Sequence, residues 1–131
     1  MSPQDLMRTC WRHISDPSLW PSERPFFEVY AQALHDRPPS NELFPGVIEP
    51  WLEPAARLAE ANGVRADTAR SIARLGLAVT RGLLLDLLAA RDRAAVDAAM
   101  EQWIALNTIV INAARDNGPA ASTAEPAERL G

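Results

Sequence analysis

Apolar residues recur along most of this chain at intervals of three and four residues, which is the period of amphipathic helices. The first segment, about Gln4 to Ser15, places Leu6, Cys10 and Ile14 on one stripe. A loop with two prolines then runs to Pro21 and ends this helix, because proline cannot continue the hydrogen-bond ladder.

The second and third segments are predicted from residues that typically start, kink or end helices. Ser22 is a candidate N-cap for a helix that tolerates Pro25 in its first turn and stops before His35. The third segment, Glu42 to Ala61, contains three prolines and is therefore expected to be kinked or split. Asn62-Gly63 is a typical helix stop.

Two long helices complete the pattern. The fourth, about Ala66 to Ala90, carries apolar residues on several faces, and the fifth runs from about Arg93 to Ala114 after an N-cap at Asp92. The chain from residue 116 onward is rich in Pro, Ala, Ser, Thr and Glu, which is typical of a disordered tail. We therefore expect one all-α domain over residues 1–115, a five-helix orthogonal or antiparallel bundle.

The apolar surface of the last two helices exceeds what three short or kinked segments can cover. A four-helix interface between two copies is the simplest cover, and a closed five-helix monomer is the alternative. Asp86 lies beside the apolar stripe, where a buried carboxylate would need a partner, across the dimer for example. The predicted homodimer interface comprises Leu83, Asp86, Leu87, Val96, Met100, Trp103 and Val110.

Composition limits the function classes. The 131 residues are 47% hydrophobic, and all 13 basic residues are arginines scattered along a chain of net charge −4. Nucleic-acid binding needs clustered cations, so we expect none through this chain. No apolar run is long enough to span a membrane, and one cysteine, Cys10, suits a reducing compartment. A cytoplasmic location is expected.

Signals of catalysis and metal binding are absent from the sequence. The chain contains no Gly-x-Ser-x-Gly elbow, phosphate loop or dinucleotide fingerprint. His13 and His35 stand alone, and Cys10 has no second thiol for zinc. We predict no catalytic residue, no metal and no cofactor.

Several stretches resemble one family of regulators. Arg81 to Leu88, followed by Asp92 to Asp97, resembles the last two helices of TetR-family regulators. Pro25 to Tyr30 and Val47 to Pro54 are similar to earlier segments of the same C-terminal domain. The resemblance covers about Ser2 to Leu106, and nothing in the chain resembles the family's helix-turn-helix.

This resemblance implies an effector-binding and dimerisation domain for a hydrophobic or aromatic small molecule. The expected pocket lies between the first four segments, and its candidate lining is Trp11, Phe27, Tyr30, Phe44, Trp51, Leu75 and Val79. Any one of these residues could equally be plain core. The alternative is a stand-alone metabolite-binding protein or enzyme of the same fold, with acid–base groups from Glu28, Tyr30, His13 or His35.

Overall fold

The computed structural model describes residues 2–35 and 52–116. These residues form helices joined by short turns and contain no strand, so the predicted all-α bundle is confirmed. The elements are α1 (Pro3–Ile14), a 3-10 turn (Pro17–Leu19), α2 (Trp20–Leu34), α3 (described over 52–61), α4 (Ala66–Ala90) and α5 (Arg93–Asp116). No described helix is both long and apolar enough to cross a membrane.

A capping box starts α1. The Ser2 hydroxyl accepts a hydrogen bond from the Asp5 amide at 3.1 Å, and the Asp5 carboxylate accepts one from the Ser2 amide at 3.3 Å. These bonds satisfy amides that have no helical partner. The side-chain hydrogen bond from Ser2 is also the main reason why the pKa of Asp5 is lowered.

The helix α2 begins two residues before the predicted cap, so the Ser22 prediction is wrong. Asp16 accepts a hydrogen bond from the Ser18 amide at 2.8 Å and starts the 3-10 turn, which leads directly into Trp20. Pro21 then falls in the first turn, where a missing amide costs nothing. The predicted end before His35 is confirmed.

The two long helices have nearly the predicted bounds. Arg91 ends α4 in the left-handed conformation with φ of 57°, and Asp92 caps α5 by accepting a hydrogen bond from the Ala95 amide at 3.1 Å. Because only these two residues separate the helices, α4 and α5 fold back on each other as an antiparallel pair. Asp116 still belongs to α5, and the predicted tail beyond it lies outside the described residues.

The core forms two clusters along this pair. In the first, Trp11 of α1 packs against Leu84 and Leu87 of α4 and against the inner face of α5. In the second, α3 packs through Leu52 and its buried alanines against the N-terminal half of α4. Thus α1 and α3 lie against different parts of the α4–α5 pair.

Part of the surface predicted to form the dimer interface is covered within the single chain. Leu87, Val96 and Met100 are buried in the chain's own first cluster, so they leave no surface for a second copy. Leu83 and Trp103 are partly buried against that cluster. Within the single chain, Asp86 and Val110 are exposed.

Candidate ligand cavity

A cavity of about 470 Å³ lies between α1, α3, α4 and α5. Its walls are mainly aliphatic, aromatic and thioether side chains, and none of the described residues that line it is charged. The principal lining residues are Met7, Cys10, Trp11, Leu58, Ile72, Gly76, Thr80, Met100, Trp103, Asn107 and Ile111. A volume of this size and an apolar lining are typical of small-molecule sites.

Small residues on the helices leave this space open. Gly76 and Ala73 face it from α4, and Ala55 and Ala59 face it from α3. A methyl group placed on Gly76 would lie 3.8 Å from Cζ2 of Trp103, which is ordinary contact. A longer side chain at position 76 would therefore extend into the cavity.

Two polar side chains lie in the wall formed by α4 and α5. Asn107 is only 8% exposed, and its Nδ2 donates to Sδ of Met7 at 3.4 Å. Thr80 donates its hydroxyl proton to the Gly76 carbonyl at 2.8 Å. The exposed thiol of Cys10 lies at the α1 side of the cavity.

A polar network holds the C-terminal end of α1 against α5. The indole nitrogen of Trp11 donates to Asp97 at 2.8 Å, and Arg93 donates to the other oxygen of Asp97 at 3.0 Å. The same guanidinium donates to the carbonyl and the hydroxyl of fully buried Ser15 at 2.6 and 2.8 Å. The network therefore fixes Trp11, one wall of the cavity, in position.

Two further contacts align α1 along α5. Arg8 pairs with both carboxylate oxygens of Glu101 at 3.0 to 3.2 Å, and Gln4 donates to Thr108 at 3.2 Å. Arg8 and Glu101 are about half exposed, so this pair contributes little stability and mainly sets the register of the two helices.

Of the five predicted lining residues that the structure describes, only Trp11 lines the cavity. Phe27 packs against the first core cluster from α2. Leu75 is half exposed and Val79 partly exposed, and neither lines the cavity. Phe44 and Trp51 lie outside the described residues.

Tyr30 has a different environment from the predicted one. The guanidinium of Arg81 lies 5.7 Å from the centre of its ring, and the ring of Phe26 lies 6.4 Å away. The Arg81 contact ties α2 to α4 on a surface that does not line the cavity. We assign Tyr30 a packing role.

The cavity residues that the sequence did not identify come from all four helices around the cavity, and one group of them lies on the inner stripe of α5. Met100, Trp103, Asn107 and Ile111 follow one another at helical spacing and all face the cavity. The signal available in the sequence was Asn107, an amide in line with apolar residues. A polar residue on a buried stripe needs a partner, and such positions often belong to sites.

The described residues form an all-helical bundle with a partly open, apolar cavity, and the described part of its lining carries no charge. Comparison of the chain with protein families, with curated proteins and with solved structures finds no match. Among the described residues, no three His, Cys, Asp or Glu side chains are grouped to hold a metal ion. Functional inference therefore depends on the geometry of the cavity and of the exposed helix faces.

Proposed function

We propose that this chain is the effector-binding and dimerisation domain of a TetR-like transcriptional regulator. The observation that supports this proposal best is the uncharged cavity of about 470 Å³ between α1 and the α4–α5 pair. Apolar pockets with few polar groups are typical sites for hydrophobic or aromatic small molecules.

The surroundings of the cavity favour binding over catalysis. His13, Glu28, Tyr30 and His35 were the candidate acid–base residues of a stand-alone enzyme, and none of them lines the cavity. A general acid or base must lie within hydrogen-bond reach of the reacting group. The alternative of a stand-alone protein is therefore better supported as a binding protein than as an enzyme.

An exposed face of α5 supports dimerisation. We define the outer face of α5 as one stripe of exposed positions along the helix. The stripe consists of Ala95, Ala98, Ala99, Gln102, Ala105, Leu106, Ile109, Val110 and Ala113. No charged residue lies among them, whereas Ile109 is 65% and Leu106 55% exposed. Large contiguous apolar patches are rare on monomers, so a second copy is the cover that we propose.

The position of the cavity links ligand binding to the dimer. Trp103 and Asn107 line the cavity from the inner side of α5, and Leu106 and Ile109 lie on its outer face. A ligand that binds one position of α5 more tightly than another would shift the population of dimer arrangements. The size of the shift depends only on the difference between the ligand's affinities for the arrangements. In a full regulator this shift would change the spacing of two DNA-reading domains.

Ligand binding can be tested with the intrinsic fluorescence of the protein, because Trp11 and Trp103 both line the cavity. We expect neutral aromatic and aliphatic compounds to change this fluorescence with saturable affinity. Gly76→Leu, which fills the cavity, should lower that affinity at least tenfold. A flat response across apolar, aromatic and acyl compounds would overturn the proposal.

A matched control comes from the same helix. Gly82 is exposed on α4, and a Cβ added there would have no atom within 4 Å. Gly82→Leu introduces the same bulk and the same gain in helix propensity outside the cavity. Its ligand affinity should equal that of the parent protein, and circular dichroism should show both variants folded.

A further inference from the structure

The polar side chains at the cavity share one feature: each uses a donor within the protein. Asn107 donates to the Met7 sulfur, Thr80 donates to the Gly76 carbonyl, and Asn62 donates to the Leu58 carbonyl at 2.8 Å. Each therefore retains an oxygen that can still accept a hydrogen bond.

Asn107 is the most deeply buried of these groups. It is 8% exposed, and its amide oxygen accepts no hydrogen bond from the residues that the structure describes. Among the described residues this oxygen is not one of the fully buried atoms that lack a partner, so it is open to solvent in the cavity that Asn107 lines. A ligand that supplies a donor would take the place of water there.

The lining also limits the charge of a ligand. No described lining residue carries a charge, so neither a carboxylate nor an ammonium group would find a counter-ion there. Burying an unpaired charge is far more costly than burying a neutral hydroxyl or N–H group. A neutral molecule is therefore favoured.

From these contacts we infer that the cavity selects a neutral, largely apolar ligand that carries an O–H or N–H donor, and that Asn107 is the residue that recognises this donor. The inference rests on the proposed ligand-binding function. It differs from that function by excluding acids, amines and molecules whose only polar atoms are acceptors.

Competing donors lie in the same wall, because the Asn107 amide has a second N–H besides the one that donates to Met7. Trp103 is only partly buried, and its indole N–H has no hydrogen-bond partner among the described residues. If this N–H dominated recognition, the cavity would prefer a ligand with an acceptor. The test therefore needs small molecules of the same shape that differ only in whether they carry a hydrogen-bond donor, an acceptor or neither.

Indole, benzofuran and indene meet this need, because the three bicyclic molecules have nearly the same shape. Indole carries an N–H donor, benzofuran an ether oxygen, and indene neither. By calorimetric titration of the full chain, we expect indole to bind about tenfold more tightly than indene or benzofuran, the value of one neutral hydrogen bond.

Two variants locate the effect. Asn107→Leu should bring the indole-to-indene affinity ratio close to one while indene still binds. Asn112→Leu makes the same change at an exposed position of α5 outside this cavity, and it should keep the full ratio. Should Asn107→Leu fail to fold, the three affinities of the parent protein still decide the question.

The outcomes distinguish failure of the donor preference from failure of ligand binding itself. Equal affinities for all three probes would overturn the donor preference and leave the ligand-binding function intact. Tightest binding of benzofuran would assign recognition to an N–H donor, of Trp103 or of the Asn107 amide, and overturn the preference for a ligand donor. No binding of any probe would overturn the proposed function, and the inference with it.

Discussion

At the scale of single residues, Glu23 has the least favourable environment of the charged side chains described. One of its carboxylate oxygens is buried without a hydrogen-bond partner among the described residues, and burial raises the pKa of this carboxyl group. Glu23 lies between Trp20 and Phe27 at helical spacing, and both aromatic residues pack against the first core cluster. Its position on the apolar face of α2 explains the shift.

Glu23→Gln should therefore stabilise the fold. A raised carboxyl pKa means that the folded state holds the proton more tightly, so stability falls as pH rises from the unfolded pKa to the folded one. At a pH below both pKa values, Glu23 is protonated in the folded and the unfolded state, so its charge does not change the free energy of unfolding. Above both we expect the variant to be more stable by about 1 kcal/mol, since the carboxylate is only partly buried.

Urea unfolding of Glu23→Gln and the parent protein at pH 4 and pH 7 checks this prediction. The comparison must be a difference between the two proteins, because Asp5 and Asp16 have lowered pKa values and add the opposite trend in both. Glu60→Gln, on an exposed position of α3, serves as the control. Equal or lower stability of Glu23→Gln at pH 7 would contradict the assignment.

At the scale of helices, the sequence predicted most bounds because helix ends depend on local chemistry. Asp92 and Asn62-Gly63 were identified from residue type alone, and Gly63 adopts the expected positive φ of 92°. The start of α2 was not predicted correctly. Asp16 caps a 3-10 turn, and α2 follows this turn directly, beginning at Trp20. The competing cap lay four residues before the helix.

The docking of α1 depends on contacts that no local pattern encodes. Arg93 lies 78 positions from Ser15 in the sequence, yet its guanidinium satisfies the carbonyl at the end of α1. A positive charge at a helix C-terminus also interacts favourably with the helix dipole. Only the folded arrangement brings these groups together, so the sequence could not predict the network.

We expect Arg93→Met to destabilise the protein by about 1 to 2 kcal/mol, because the buried Ser15 hydroxyl loses its donor and the Ser15 carbonyl keeps only the 3.2 Å hydrogen bond from the Trp20 indole. Arg8→Met is the matched control, since Arg8 also joins α1 to α5 but forms a solvent-exposed pair, and its loss should destabilise the protein less. Urea unfolding measures both. Equal losses in the two variants would show that the network adds no more than a surface ion pair.

At the scale of the whole molecule, the spacing of apolar residues indicates which helices are apolar on several sides. It does not indicate which part of the protein covers each side. Leu87, Val96 and Met100 were assigned to a second copy, whereas Trp11 and the α4–α5 pair itself cover them. The lining of the cavity could not be predicted from the sequence for the same reason. Its walls depend on how α1 and α3 pack across the long pair, which is a tertiary property.

The proposed dimer predicts a specific response to charge. Leu106→Glu combined with Ile109→Glu places two carboxylates on the outer face of α5 and should convert a dimer to a monomer without unfolding it, because both leucine and isoleucine are exposed in the single chain. Leu34→Glu, at a leucine of α2 that is 74% exposed, should leave the dimer intact. Sedimentation velocity distinguishes these cases. A parent protein that sediments as a monomer at all concentrations would contradict the dimer.

Diffraction from crystals grown with iodobenzene shows whether the cavity binds a neutral apolar molecule, since iodine marks the binding site by its anomalous signal. We expect one strong peak between α1 and α5, beside Trp103 and Asn107. A cavity filled by the chain's own side chains, or iodine bound only at the surface, would contradict this expectation.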